Sequence, residues 1–153
     1  MSRDEVRVNG TRILRRPVRE GGLVGTLFSP DSSGPRPAVI VLGGSEGGLL
    51  GEGVAATLAR RGYAALALAY FGTRSLPSEL VEIPLEYFAG ALRWLRSRSE
   101  TDGDRVALMG GSKGGELALL LGATYPEDIR AVVSYVPSAV VYQGVSFDPW
   151  YYV

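Results

Sequence analysis

The segment from Arg105 to Leu121 constrains this chain more than any other. An apolar run, Arg105 to Met109, leads through Gly110-Gly111-Ser112-Lys113-Gly114 into Gly115-Glu116 and the apolar stretch Leu117 to Leu121. With 21 glycines in the chain, Gly-x-Ser-x-Gly is weak as a bare pattern. Its setting makes it specific, because a buried strand precedes it and a helix follows. Such a turn carries its serine in a strained backbone conformation at the tip of a strand. Small residues are needed two positions before and two after, here Gly110 and Gly114, where a side chain would collide with the crossing helix and strand. The helix N-terminus also brings backbone N–H groups and positive dipole beside the hydroxyl. A Gly-rich strand-to-helix turn of an ordinary doubly wound sheet is the competing reading. A phosphate-binding P-loop is excluded, since Ser112 precedes Lys113 where Gly-Lys-Ser/Thr order is required.

The rest of the chain supplies a matching frame. Glu5–Val8, Arg12–Arg16 and Leu23–Phe28 read as short antiparallel strands within residues 1–28, with Asn9-Gly10 as a hairpin signal. A Pro/Gly-rich loop, Ser29 to Pro37, separates them from a βα core over 37–136. Ala38–Leu42, Tyr63–Tyr70, Arg105–Met109 and Arg130–Val136 are apolar enough for strands covered on both faces. Helices are expected over Leu49–Arg61, closed by Gly62 at C′, over Pro84–Arg98, and over Ser112–Thr124. In the second of these, Leu85, Phe88, Ala91, Leu92 and Leu95 form one buried stripe, with Trp94 packed at its edge. Thr101–Asp104 reads as a turn. The alternation of strand and helix predicts an α/β protein, a mostly parallel sheet with helices on both faces, in a single domain over 1–153. Residues 137–153 form an aromatic tail with no helical pattern, including Tyr142, Phe147, Trp150, Tyr151 and Tyr152.

Composition narrows the chemistry. Sixteen basic and sixteen acidic side chains cancel, so no overall field favours nucleic acid or an anionic membrane. There is no cysteine, and hence no disulfide, thiolate metal site or thiol nucleophile. There is no histidine either, which removes imidazole-ligated metals and the side chain best suited to general-base work near neutrality. Neither a metal nor a cofactor is expected. The charged N-terminus has no apolar signal region and no apolar run approaches the ~20 residues of a membrane span, so a cytoplasmic location is expected.

Directly after Leu42 comes Gly43-Gly44-Ser45-Glu46-Gly47-Gly48. If the strand before it lies beside the strand before Ser112, this loop faces the serine and donates one backbone N–H to an oxyanion. Ser45 is the candidate for that donor, and Lys113 for the other. A dinucleotide-binding turn is the alternative, although the spacing does not match Gly-x-Gly-x-x-Gly. The Lys113 side chain is expected in solvent rather than as a base, and Glu116 as a partner of the helix dipole. Glu79, Glu82 and Glu86 are expected in solvent. Tyr70 and Phe71 either line an acyl pocket or simply pack.

These motifs together resemble one family. Gly110-Gly-Ser-Lys-Gly-Gly-Glu-Leu-Ala, the loop Leu42-Gly-Gly-Ser-Glu-Gly-Gly-Leu, and the run Ala67-Leu-Ala-Tyr-Phe with Leu76-Pro and Ile83-Pro-Leu-Glu-Tyr-Phe are similar to the catalytic domain of acyl-CoA thioesterases and bile acid-CoA:amino acid N-acyltransferases. That group is allied to dienelactone hydrolase-like α/β-hydrolases. The resemblance extends over about residues 17–145. It implies an acyl-enzyme mechanism on an acyl-CoA thioester, with Ser112 at the position of the nucleophile, a histidine base and an aspartate that orients it. Those two partners follow later strands in such hydrolases, and no position here matches them; Asp148 lies too close to Arg130–Val136. The expectation is therefore a domain lacking the last strand–helix units, impaired by the missing histidine. A homo-oligomer cannot restore the base, since every copy lacks it. A non-catalytic binding or dimerisation module is the alternative. It would use Phe147–Tyr152 or the exposed sheet edge for self-association.

Overall fold

A computed structural model describes residues 4–8, 10–146 and 148. Seven strands and three helices follow one another as β1 (Asp4–Val8), β2 (Thr11–Val18), β3 (Val24–Pro30), β4 (Arg36–Leu42), α1 (Glu52–Arg60), β5 (Ala64–Ala69), α2 (Leu85–Arg96), β6 (Thr101–Gly111), α3 (Lys113–Thr124) and β7 (Ala131–Tyr135). The strands form one sheet in the order β1-β2-β3-β5-β4-β6-β7. The sheet is mixed: β1, β2, β3 and β5 pair antiparallel in succession, while β5, β4, β6 and β7 run parallel. Val8 opposes Thr11, and Gly10 takes φ +81°, a left-handed conformation that suits glycine; Asn9 lies outside the described residues.

The two faces are filled differently, and residue size explains how. On one face Ala55, Ala56 and Ala59 of α1 pack against Val39 and Val41 of β4 and Ala65 and Ala67 of β5. On the other, α2 and α3 lay Phe88, Leu92, Leu95 and Leu121 over Ile40, Leu42, Leu66, Leu68 and Leu108. The predicted α2 stripe is realised. Trp94 is buried at its edge, with the guanidinium groups of Arg16 and Arg98 at 5.6 and 5.0 Å from its ring centre. On the α1 face Ala131, Val133 and Tyr135 stand beside Ala107, Met109 and Gly111 in register, and Val133 and Tyr135 are 51% and 71% exposed.

Several boundaries shift by a residue or two, as where β3 runs on to Pro30 and β4 begins at Arg36, and two differ more instructively. Thr101–Asp104 is not simply a turn: Thr101 and Asp102 pair with Arg36 and Pro37 as the start of β6, and the register then jumps to Ala38 opposite Val106. The turn sits inside the strand as a bulge, closed by the Asp104 N–H on the Asp102 carboxylate at 3.1 Å. Helix α1 starts three residues late, at Glu52, because Gly47 and Gly48 are left-handed (φ +70° and +68°) and Leu49 closes a turn with the Glu52 N–H. Its end is as expected, with Gly62 at φ +96° after the cap residue Arg61.

Candidate functional site

Parallel pairing sets the site at the carboxyl ends of β4 and β6. Leu42 opposes Gly110, so the loop after β4 and the turn after β6 leave the sheet side by side. At that turn Ser112 has φ 52° and ψ −123°, outside the regions ordinary residues favour. Holding a non-glycine residue there costs about 1–3 kcal/mol. The surroundings impose it. The Ser112 N–H donates to the Tyr135 carbonyl of β7 at 3.0 Å, and the Ser112 carbonyl accepts from the N–H groups of Gly115 and Glu116, both at 3.0 Å.

The glycine requirement at Gly110 and Gly114 is steric and severe. A Cβ on Gly110 would lie 2.1 Å from the Gly114 carbonyl oxygen. One on Gly114 would lie 2.2 Å from the Gly43 oxygen and 2.5 Å from that of Leu42. The elbow and the Gly43–Gly48 loop are therefore in backbone contact. Ser112 is exposed in an open crevice of about 410 Å³, walled by Gly43, Gly44, Glu46, Leu50, Val54 and Tyr135. Lys113 is the first residue of α3, so its N–H has no intrahelical acceptor and lies beside the serine. Ser45 sits on the exposed crest of the loop, between the crevice-lining residues Gly44 and Glu46.

What fixes the loop is an aromatic clamp whose role sequence reasoning left undecided. The buried Tyr70 hydroxyl donates to the Gly43 carbonyl at 2.6 Å, and the Phe71 carbonyl accepts from the Gly48 N–H at 2.9 Å. Burial, and then the negative charges of Glu46 and Glu116, push the Tyr70 pKa far above its ordinary value, so the phenol stays a neutral donor. A tyrosine at the end of β5, beside the strand whose loop it must hold, was the available signal.

The Lys113 side chain is not in solvent as expected. Its amine donates to the Glu116 carboxylate at 3.1 and 3.3 Å and to the carbonyls of Tyr142 and Gln143, each at 3.2 Å. Glu116 is buried and also accepts from the Tyr142 N–H at 2.9 Å and from the Ser138 hydroxyl. Burial pushes its carboxyl pKa up. The hydrogen bonds from Ser138, Lys113 and Tyr142 together outweigh that and hold it below the ordinary carboxylate range. Glu116 is thus the hub that fastens the segment after β7 to α3, beyond its place in the helix dipole. Glu82 and Glu86 are exposed as expected, whereas Glu79 accepts a hydrogen bond from Ser146 at 2.6 Å. Asp148 is exposed, its N–H donating to the Ser146 hydroxyl at 3.0 Å. Phe147, Trp150, Tyr151 and Tyr152 lie outside the described residues. Among the described residues no three His, Cys, Asp or Glu side chains gather as a metal site would need, and no helix is long and apolar enough to cross a membrane.

Residues 83–148 match the family described as BAAT / acyl-CoA thioester hydrolase C terminal. Human acyl-coenzyme A thioesterase 1 is 41% identical over 142 residues, which are 90% of this chain and 34% of that protein. Human mitochondrial acyl-coenzyme A thioesterase 2 is also 41% identical over 142 residues, covering 29% of its length. The chain thus spans about a third of the length of the curated relatives it matches. Among solved structures, a putative dienelactone hydrolase from Klebsiella pneumoniae superposes with a TM-score of 0.66 over 92% of this chain and 61% of that one. At 19% identity, that likeness speaks to the α/β-hydrolase fold alone.

Proposed function

We propose that this chain belongs to the BAAT / acyl-CoA thioester hydrolase C-terminal family, which matches residues 83–148, and that within it these residues carry the nucleophile Ser112 and the oxyanion donors of an acyl-CoA thioester hydrolase or acyltransferase. The observation that carries the reading is the serine's backbone: a non-glycine residue at φ 52°, held between two glycines that admit no Cβ. Strain of this kind persists where the surroundings over-determine it, and such places are commonly functional.

In the proposed reaction the Ser112 hydroxyl oxygen attacks the thioester carbonyl carbon. The carbonyl oxygen becomes an oxyanion, which the Lys113 N–H and the Ser45 N–H accommodate. Collapse of this intermediate breaks the carbon–sulfur bond and expels the CoA thiolate, leaving an acyl-Ser112 ester. Attack by water then returns a fatty acid, and attack by an amine an amide. Losing one oxyanion donor typically costs about 2.7–4 kcal/mol of transition-state stabilisation. The Tyr70 clamp serves this step by fixing the Gly43 carbonyl, and with it the following amides. The serine proton needs a base, and these 153 residues contain no histidine. On this chain alone the turnover expected is the residual rate that oxyanion stabilisation and binding supply, about 10³–10⁴ over water.

A cytoplasmic setting and a role as a non-catalytic module are further proposals. The exposed Val133 and Tyr135 beside the crevice favour the module, as a surface suited to self-association. Incubation with an acyl-CoA followed by intact-mass measurement separates the readings. Acylation of Ser112, absent in Ser112→Ala, supports the hydrolase. No adduct and no released CoA, in a folded protein, supports the module.

A further inference from the structure

The two edges of the sheet are built differently. At one edge β1 carries Asp4, Glu5 and Arg7, all exposed, with Glu5 paired to Arg12 at 2.7 Å. Charges placed in this way keep an edge strand from pairing with another chain. At the other edge β7 reads Ala131-Val132-Val133-Ser134-Tyr135, without a charge or a proline. Its register against β6 runs unbroken from Ala107 opposite Ala131 to Gly111 opposite Tyr135, so no bulge twists it away either. Among the described residues no strand pairs with its outer side. Ala131, Val133 and Tyr135 are exposed on the α1 face, and Val136 just beyond them is exposed as well.

The backbone dictates what fits there. The Tyr135 carbonyl accepts from the Ser112 N–H and so points towards β6. Alternate residues of a strand turn their backbone groups to opposite edges, which leaves Val132 and Ser134 with N–H and C=O directed outward. Under a two-fold axis normal to the sheet, these two residues are self-complementary. Val132 meets Ser134 of a second copy, Ser134 meets Val132, and both residues of each pair exchange N–H and C=O. Val133 lies on the axis and faces itself in a non-hydrogen-bonded pair, with Cα atoms about 4.5 Å apart. Tyr135 comes opposite Ala131 of the second copy, whose small side chain leaves room for the ring. The charge nearest the strand, on exposed Arg130, falls opposite Val136 of the second copy. That is about 20 Å from its own counterpart, so no like charges meet.

We propose that β7 is an interface between two copies of this chain, joined antiparallel about Val133 into one continuous sheet. The proposal rests on the reading of Val133 and Tyr135 as a self-association surface, and it stands whether or not Ser112 forms an acyl-enzyme. It also bears on the elbow. Tyr135 supplies the carbonyl that holds the Ser112 N–H and one wall of the crevice, so pairing β7 on its second side steadies the strand that anchors the serine.

Sedimentation equilibrium of the whole chain should show the mass doubling as the protein is concentrated. Val133→Lys and Val133→Glu each set like charges face to face on the axis and should sediment as monomers. An equimolar mixture of the two should recover the doubled mass. Val133 is exposed, which makes these changes safe for folding. Cysteine supplies a second readout, since the chain has none of its own. Oxidised Val133→Cys should form a disulfide-linked dimer, because the axial pair lies within disulfide reach. Ala131→Cys should not, its two copies standing about 13 Å apart along the strands. A parent that stays monomeric, a Val133→Lys protein that still dimerises, or Ala131→Cys linking as readily as Val133→Cys overturns the proposal. Acylation of Ser112, read separately by intact mass, keeps the two ideas apart. Doubled mass without an adduct leaves the interface and removes the nucleophile, and an adduct on a monomer does the reverse.

Discussion

Replacing Ser112 by glycine and, separately, by alanine isolates the strain stored at the elbow. Both changes remove the hydroxyl, so its own interactions cancel in the comparison and only the Cβ differs. At φ 52° and ψ −123° that Cβ is unfavourable by about 1–3 kcal/mol. Glycine regains this, but it adds freedom to the unfolded chain worth about 0.4–1 kcal/mol against folding. Taking the middle of each range, Ser112→Gly should be more stable than Ser112→Ala by about 1.3 kcal/mol. For a chain of this size that is a Tm difference of roughly 3–5 °C. Urea unfolding followed by circular dichroism measures it directly, and the two variants should share one slope and differ in midpoint. Should alanine prove as stable as glycine or more so, Ser112 is not strained as described, and the structural argument for a functional serine fails.

Gly114→Ala drives a methyl into the Gly43 and Leu42 carbonyls, backbone atoms that cannot rotate away. It should cost at least the ~1–3 kcal/mol of ordinary overpacking, with loss of any Ser112 reactivity; a variant within about 0.5 kcal/mol of the parent in urea contradicts the contact. Tyr70→Phe removes the donor to Gly43 and should cost about 1 kcal/mol, again read from the urea midpoint. Because the folded pKa of Tyr70 is raised, its contribution is complete below pH 10 and is lost as pH climbs beyond it. Tyr70→Phe should therefore flatten the alkaline fall in stability. Glu116 is shifted the opposite way: its contribution is present above the ordinary carboxyl value and is lost as pH falls through the lowered folded value. Glu116→Gln should make the acid side of the stability profile shallower and expose residues 138–146 to limited proteolysis near neutral pH, where the parent resists.

The elbow could be read from sequence because everything that defines it is local. An apolar strand, two glycines at fixed offsets from a serine and a following helix occupy Arg105 to Leu121 without interruption. The pairing of β4 with β6 followed from fold resemblance, and it is this pairing that brings the Gly43 carbonyl against Gly114. The environment of Lys113 could not be read in the same way. Its side chain is held by the carbonyls of Tyr142 and Gln143, 29 and 30 residues away, and any residue offers a carbonyl. The hub at Glu116 was hidden for the same reason: a carboxylate in a helix's first turn is satisfied by the helix dipole, and nothing nearby in sequence announces a strap. Tyr70 was visible as an aromatic at a strand end, but its hydrogen bond depends on where a separate loop lies. The bulge at 103–105 was missed because a turn signal inside a strand is identical to one at its boundary.

The central claim is that Ser112 is a serine presented for nucleophilic attack, and covalent labelling tests it most directly. The native protein, the urea-unfolded protein and Ser112→Ala are each exposed to a small fluorophosphonate and read by intact mass and peptide mapping. The account predicts a single adduct on Ser112 in the native protein, slow for want of an imidazole base, and none in the other two samples. Labelling spread over several serines, labelling unchanged in Ser112→Ala, or no adduct in the folded protein would contradict it.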